Sequence, residues 1–568
     1  MNYLDWIVLA GTVIFIVGYG TWKTRKTATM ESYLKGDGSL KWWMIGVSIM
    51  ATQASAVTFL STPGQAIQDG MRFLQFYFGL PLAMVIISIT MVPIYYKLKV
   101  YTAYEYLESR FDPKTRALAA IFFLILRGLS AGITLYAPSL VLSTILDWPV
   151  SLTTVLITTL VIVYVVSGGT KAVSLTQRQQ MAIIMSGMIL AGVLAYAMLP
   201  EQVSFSDSVA IAGNLGKLNL VSLDFKITDR YNIWSGLIAG TFLFLAYFGT
   251  DQSQVARYLG GRSMTESRLG LIFNGLLKIP MQFIILFIGV MVFVFYLFSQ
   301  PPVFHNQVLM GRALQTEYGD TLRTLEKQYA VVHAEKRQAV DELLTAIHQD
   351  DDKAIDQARA EVQVHQSRER VITDSVKQKI SKAIPGAKES DTDYIFLNFV
   401  LNHLPHGIIG LLLAVMFSAA MSSMSGELSA LASTTSVDIY KRNFKAEASP
   451  DHYLKASRWF TVMWALLAMT FAMLANFAEN LIQFVNIVGS LFYGTILGIF
   501  LTAFYFKKIK GTAVFCAAIV SEICIFSLYL FTDVAFLLYN MIGCVIVIAT
   551  AALLQLFLST PSQQKKGV

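Results

Sequence analysis

The chain is laid out as runs of about 20 apolar residues separated by short charged loops, and that pattern leaves few folds open. A bilayer core of about 30 Å takes a helix of about 20 apolar residues. Inside it the backbone must satisfy its own hydrogen bonds, so helices are the economical solution. Charge is scarce, at 14% of residues against roughly 25% in ordinary soluble domains. It is also uneven: Pro301 to Asp393 holds 13 Lys/Arg and 16 Asp/Glu, and the other 475 residues share 52 charges. A disordered chain and a soluble enzyme are both excluded by this layout. The expectation is an all-α polytopic membrane protein carrying one polar island.

About 13 spans are expected, at 4–22, 42–68, 73–93, 117–143, 150–167, 180–199, 233–250, 271–299, 406–436, 459–478, 481–504, 511–531 and 533–557. With the N-terminus outside, the inward loops and C-terminal tail hold 25 Lys/Arg, clustered at 23–41, 97–116, 441–458 and 507–510. The outward connections, the island excluded, hold four: Arg72, Lys217, Lys226 and Arg230. The positive-inside rule then puts the C-terminus, with Lys565 and Lys566, in the cytoplasm. This orientation suits a bacterial inner membrane. The net charge of +7 comes from this loop bias, since the island itself is net acidic, and it points to no nucleic-acid partner. Cys516, Cys524 and Cys544 lie inside apolar runs and read as small core residues. The first apolar run precedes its positive cluster Lys23, Arg25 and Lys26, the reverse of signal-peptide order.

Two spans read as interrupted helices. The second contains Ala51 to Thr58 and then Ser61-Thr62-Pro63-Gly64, and the seventh contains Gly240 and Tyr247-Phe248-Gly249-Thr250 before Asp251. Each would open a five-helix half, and paired broken helices point to a midplane site in secondary transporters. Close packing through small residues is the competing explanation. The divisions expected are 1–41 for the first helix and inner loop, 42–199 for the first half and 200–232 for an outer loop. The second half spans 233–504, interrupted by 301–393, and 505–568 holds two further helices and the tail. Span nine is rich in small and hydroxylic residues, Ser418-Ala419-Ala420-Met421-Ser422-Ser423-Met424-Ser425. Sodium is a hard cation that takes about five or six oxygens, and Ser422 and Ser423 facing unwound carbonyls of span two would supply them. Helix packing is again the alternative.

Four segments together resemble the solute:sodium symporters, a family with the inverted-repeat fold of the bacterial leucine transporter. They are Tyr101 to Phe111, Ser167 to Val173, Gly249-Thr250-Asp251-Gln252 with Arg257-Tyr258, and the serine-rich helix ending Asp438-Ile439-Tyr440-Lys441. The resemblance covers nearly all the chain outside the island and is nearest to the monocarboxylate, iodide and vitamin branch. It implies a 5+5 inverted repeat and a Na+ site made by the carbonyls of Ala51, Ala54 and Ala419 with the hydroxyls of Ser422 and Ser423. It further implies a substrate site or gate at Gln53, Thr58, Phe76, Tyr77, Phe244, Tyr247, Lys278 and Asn486. Tyr247 matches the aromatic residue that closes the inner side of the site in sugar carriers, and Lys278 matches a lysine near it.

The departures narrow the substrate. Sugar carriers have Gln at the position of Thr58, Glu at Tyr77, Asn at Phe244 and Gln at Asn486, so this chain lacks much of a polyol-binding network. The run Leu135-Tyr136-Ala137-Pro138-Ser139-Leu140 fits carriers of small anions. Relatives place Asp at the position of Gln177, and the neutral amide favours one sodium per cycle. Arg127 lies inside an apolar run, so it either attracts an anion or pairs with a carboxylate at a helix end.

The island shows helical spacing through Leu322, Leu325, Tyr329 and Val332, then Val340, Leu343, Leu344 and Ile347. After a break at Gln349 to Asp352 the pattern continues through Ile355, Ala358, Val362, Val371, Val376 and Ile380. It is expected as an outward helical hairpin with one apolar seam and a possible protein-docking role at 301–393. Its histidines, His305, His333, His348 and His365, fit no metal spacing and are expected to be solvated. The functional expectation is a sodium-coupled symporter of a small organic solute or anion, working by alternating access in the lipid bilayer. A transporter-like receptor is the rival, and no catalytic motif appears.

Overall fold

The computed structural model describes the chain except residues 25–39, 99, 101, 387–389, 475–480 and 559–568. Most of the 23–41 cluster, Tyr101, Lys565 and Lys566 lie outside the described residues, and so do the side chains of Ser167 to Val173. The described residues form helices without a sheet. In chain order these are α1 Tyr3–Thr24, α2 Trp42–Gln53, α3 Ala56–Asp69, α4 Leu80–Leu98, α5 Glu105–Arg110, α6 Pro113–Leu146, α7 Val150–Ala197, α8 Phe205–Asn214, α9 Gly240–Gly249 and α10 Gln252–Leu259. The second part comprises α11 Met264–Phe298, α12 Gln307–Ala313, α13 Gly319–Gln349, α14 Asp352–Ala383, α15 Thr392–His403, α16 Ile408–Thr434, α17 Pro450–Leu474, α18 Leu481–Tyr505, α19 Gly511–Phe531 and α20 Phe536–Leu558.

Among the described residues, nine helices are long and apolar enough to cross a membrane, with three shorter apolar ones besides. The expected 13 separate spans are not reproduced as a count. Helical backbone runs without interruption from Val150 to Ala197, joining two expected spans. Another expected gap, after residue 68, is filled by a 3-10 turn at Gly70–Tyr77 that links α3 to α4. The expected boundary near Asp533 is present between α19 and α20.

Both interrupted helices are present, each at a definite residue. α2 stops because Ala54 leaves helical geometry (φ −81°, ψ 66°), and Ser55 is extended before α3 resumes. Pro63 and Gly64, by contrast, lie inside α3. A Cβ on Gly64 would stand 2.4 Å from the Thr392 carbonyl oxygen, so glycine there lets α15 approach. The seventh span breaks between α9 and α10, where Asp251 is extended and its carboxylate accepts from the Ser253 amide at 2.8 Å. Carbonyls released by the second break are taken up by tyrosines: Tyr95 donates to Gly249 (2.7 Å) and Tyr104 to Thr250 (3.0 Å). This answers the demand that non-helical backbone at membrane depth be satisfied by protein.

α16 is the central strut, buried along nearly its whole length and packed against α1, α6, α7 and α17 as well as the broken pair. α11 lies along α2, α3 and α4, and α18 along α6, α9 and α20. Outside this core, α13 and α14 form the expected hairpin, turned at Asp350 with positive φ and capped by Asp351. Its seam differs in detail. Val371 is 67% exposed, while His333, Lys336, His365 and Glu369 are buried. Glu369 accepts from Lys336 (2.5 Å) and bonds His333 Nδ1 (2.9 Å) across the two helices. The expectation of solvated histidines is therefore corrected at His333 and His365, which occupy the turns where the apolar repeat lapses. The hairpin rests on the core through Arg337, which donates to the Phe298 carbonyl (2.9 Å), and through His348 beside Asp207 of α8 (3.1 Å).

Candidate solute and sodium site

The break between α2 and α3 opens onto a cavity of about 120 Å³, which α9 lines with Leu243, Phe244 and Tyr247 just ahead of the second break. All eight residues expected at a substrate site or gate line it: Gln53, Thr58, Phe76, Tyr77, Phe244, Tyr247, Lys278 and Asn486. One wall is aromatic, with Phe76, Tyr77 and Phe244 at centroid separations of 5.0–5.8 Å. Below them Tyr247 meets Tyr493 edge-on at 5.9 Å, and its hydroxyl accepts from Gln254 at 2.7 Å. Lys278, in the middle of α11, is fully buried with Nζ 5.4 Å from the Tyr77 ring centroid. No carboxylate pairs with it among the described residues.

Of the expected sodium ligands, the two serines meet the end of α2. Ser423 donates to the Thr52 carbonyl at 2.9 Å and Ser422 to the Ala51 carbonyl at 3.5 Å. Ala419 stands one helical turn before this pair on α16, and Ala54 is the residue at the break; both are fully buried. The Thr52 carbonyl was not in the expected set, yet it is the one that Ser423 touches. Thr58 donates to the next carbonyl, that of Gln53, at 3.2 Å. The Gln177 amide sits behind this junction: its oxygen accepts from Ser48 (2.6 Å), and its nitrogen donates to the Thr52 hydroxyl (3.1 Å). The amide thus takes a structural place beside the oxygen cluster without adding charge.

Sequence reasoning missed a charge cluster on the cavity floor. Arg127 pairs with Asp251, with Glu427 (3.0 Å) and with the Tyr493 hydroxyl (2.7 Å), and Tyr493 donates to Asp251 at 2.8 Å. Of the two readings open for Arg127, pairing with a carboxylate at a helix end is the one observed, since Asp251 caps α10. Glu427 had a usable signal: it follows Ser423 by four residues, hence on the same face of α16. One of its oxygens, Oε2, is buried without a hydrogen-bond partner. Arg127 is also stacked 5.4 Å from the Tyr247 ring, which joins the floor to the aromatic wall.

A sequence model described as the sodium:solute symporter family matches residues 33–317 and 372–521. The chain belongs to that family. The unmatched stretch between the two segments falls on the α13–α14 hairpin, so the symporter carries it as an addition to the family pattern. The symporter is 24% identical over 558 residues to the sodium/sialic acid symporter SiaT of Proteus mirabilis, covering 95% of this chain and 92% of that one. It is 30% identical to the human sodium/iodide cotransporter over 54% of this chain and 47% of that protein, so it spans about half of that relative's length. Mouse sodium-coupled monocarboxylate transporter 1 is 25% identical over 87% of this chain and 68% of its own. A solved substrate-bound, outward-open structure of a Na+-coupled sialic acid symporter superposes with a TM-score of 0.75 over 98% of both chains at 22% identity. That likeness shows the fold. The symporter is therefore a multi-pass membrane transporter and not an enzyme.

Proposed function

We propose that this symporter uses the sodium gradient to import a small organic solute or anion by alternating access, with both sites at the helix breaks. The observation that carries the reading is Ser423, which lines the cavity while its hydroxyl meets the Thr52 carbonyl. A sodium ion gathered by Ala51, Ala54, Ala419, Ser422 and Ser423 would order the α2–α3 junction, and that junction forms a wall of the solute cavity. Sodium and solute then stabilise the same conformation, which is what coupling requires. Gln177, a neutral amide at the edge of the cluster, favours one sodium per cycle.

The solute is proposed to be a small anion. Lys278 offers it a cation that pairs with no carboxylate among the described residues, whereas Arg127 is already engaged. The aromatic wall leaves few partners for a polyol. The relatives named above carry iodide, sialic acid or monocarboxylate in their names, in keeping with this class. The halves proposed are 42–199 and 233–504, with the N-terminus outside, the C-terminus in the cytoplasm, and a bacterial inner membrane as the setting. The outward hairpin within 301–393 is the proposed place for any protein partner, since Val331, Val364 and Val371 are exposed on it.

Sodium-driven uptake into proteoliposomes tests the sodium site. Ser422→Ala with Ser423→Ala should raise the sodium concentration needed for half-maximal uptake by tenfold or more, on the order of one coordinating oxygen lost per substitution. Unchanged sodium dependence in the double variant would overturn the assignment. A thermal-shift screen of monocarboxylates, inorganic anions, amino acids and sugars, with and without sodium, identifies the solute class.

A further inference from the structure

The C-terminal helix pair buries a carboxyl group for which the transport cycle above has no use. Glu522 is the twelfth of the 21 residues of α19, halfway along a helix of bilayer length. It lies on the buried stripe that includes Ala518, Ser521 and Ile525 and is 8% exposed. Both of its carboxyl oxygens are buried without a hydrogen-bond partner. The polar side chain beside it is Thr495 of α18.

Among the described residues, no cation of the helices packed against it faces this group. α19 packs against α18, α20 and α6. α18 and α20 contain no Asp, Glu, Lys, Arg or His anywhere along their lengths; their titratable groups are tyrosines and Cys544. On α6, Arg127 is held by Asp251 and Glu427, Arg116 by Asp438 and Glu108, and Lys114 lies in the first turn at the helix end. On α19 itself the other titratable groups are Cys516, Cys524 and Tyr529. An ionised carboxylate in such a place is far more costly than the neutral acid.

The surroundings suit a hydrogen-bond donor. Thr495 and Ser521 share a hydrogen bond at 2.9 Å, and Ser521 donates to the Gly543 carbonyl at 3.0 Å. The three helices are closely packed here: a Cβ on Gly494 would stand 2.6 Å from the Tyr539 carbonyl oxygen. We propose that Glu522 is a proton-binding site: it is held as the neutral acid, and its hydroxyl ties α19 to Thr495 of α18, beside the bond that Thr495 shares with Ser521. Deprotonation releases the proton to solvent and leaves an unpaired anion against α18. That helix also supplies Asn486, Gly489 and Tyr493 to the cavity, so proton occupancy and the arrangement of the cavity wall are linked. This goes beyond the sodium and solute assignments and does not depend on them.

Infrared titration of the full-length protein in lipid nanodiscs reads the proton directly. At pH 7 the wild type should show a protonated-carboxyl band that Glu522→Gln lacks. Wild-type uptake at symmetric pH should fall as the acid deprotonates, about tenfold per pH unit beyond its midpoint, while Glu522→Gln, which mimics the neutral acid, retains uptake with that fall removed. The proposal is overturned if the two spectra match in the protonated-carboxyl region. It is equally overturned if Glu522→Gln abolishes sodium-driven uptake at every pH or fails to fold, because the neutral amide should be tolerated. Loss of the band together with an unchanged pH profile would reject the link to transport.

Discussion

Arg127 is 4% exposed and lies between carboxylates from two other helices. Removing one member of a buried pair leaves charge without a partner and typically costs about 3–5 kcal/mol. Arg127→Met should therefore destabilise the symporter by about that much, seen as a lower thermal midpoint in detergent. Adding Asp251→Asn and Glu427→Gln to the same protein should recover most of it; a triple variant no more stable than Arg127→Met would show that charge pairing is not the cause. The cluster also shows where reading the sequence stops. A charge in an apolar run is visible by inspection, but its partners stand 124 and 300 residues away. Spacing along one helix cannot reveal a partner that only tertiary packing brings near.

Among elements, α3 shows how a broken helix is held at its other end. It stops at Gly70, whose φ of +66° suits glycine, and a Cβ there would meet the Lys217 carbonyl oxygen at 2.6 Å. The Lys217 ammonium donates to the Ile67 and Gln68 carbonyls at 2.6 and 2.8 Å, capping the helix from the loop that follows α8. Burial pulls the lysine down to about 8 from its ordinary 10.5, with Asp69 opposing the shift. The unfolded chain holds that proton more tightly, so the destabilising charge is fully present below pH 8 and is relieved as pH climbs toward 10.5. The thermal midpoint of the wild type should accordingly gain on that of Lys217→Met between pH 8 and pH 10. Parallel curves for the two proteins would contradict this. The existence of both broken helices was legible, because Gly, Ser and Thr interrupt otherwise apolar runs. Their break points were less so: Pro63-Gly64 reads like an interruption, yet those residues serve close packing while Ala54 and Ser55 carry the turn.

For the whole molecule, the scarcity of charge was enough to announce a helical membrane protein, and the order of four short motifs announced the family. The number of separate helices was not legible, since 3-10 backbone bridges one expected gap and helix runs through another, and neither leaves a hydropathy signature. Nor was the polar interior of the hairpin, where His333, Lys336 and Glu369 replace the apolar repeat. The proposed orientation is open to direct measurement. In a background with Cys516, Cys524 and Cys544 replaced by alanine, Lys327→Cys on the hairpin should react with an impermeant thiol reagent applied from outside. Lys455→Cys should react only after the membrane is opened, and the reverse pattern would invert the topology. The neutral Gln177 amide behind the sodium ligands has one more consequence. A complete cycle returns the protein's own charges to where they began, so the current counts sodium and solute alone. With one sodium aboard, a turnover carrying a monoanion moves no net charge, and one carrying a neutral or zwitterionic solute moves a single positive charge. Current recorded across a symporter-loaded membrane therefore reports the valence of the cargo before its chemical identity is known.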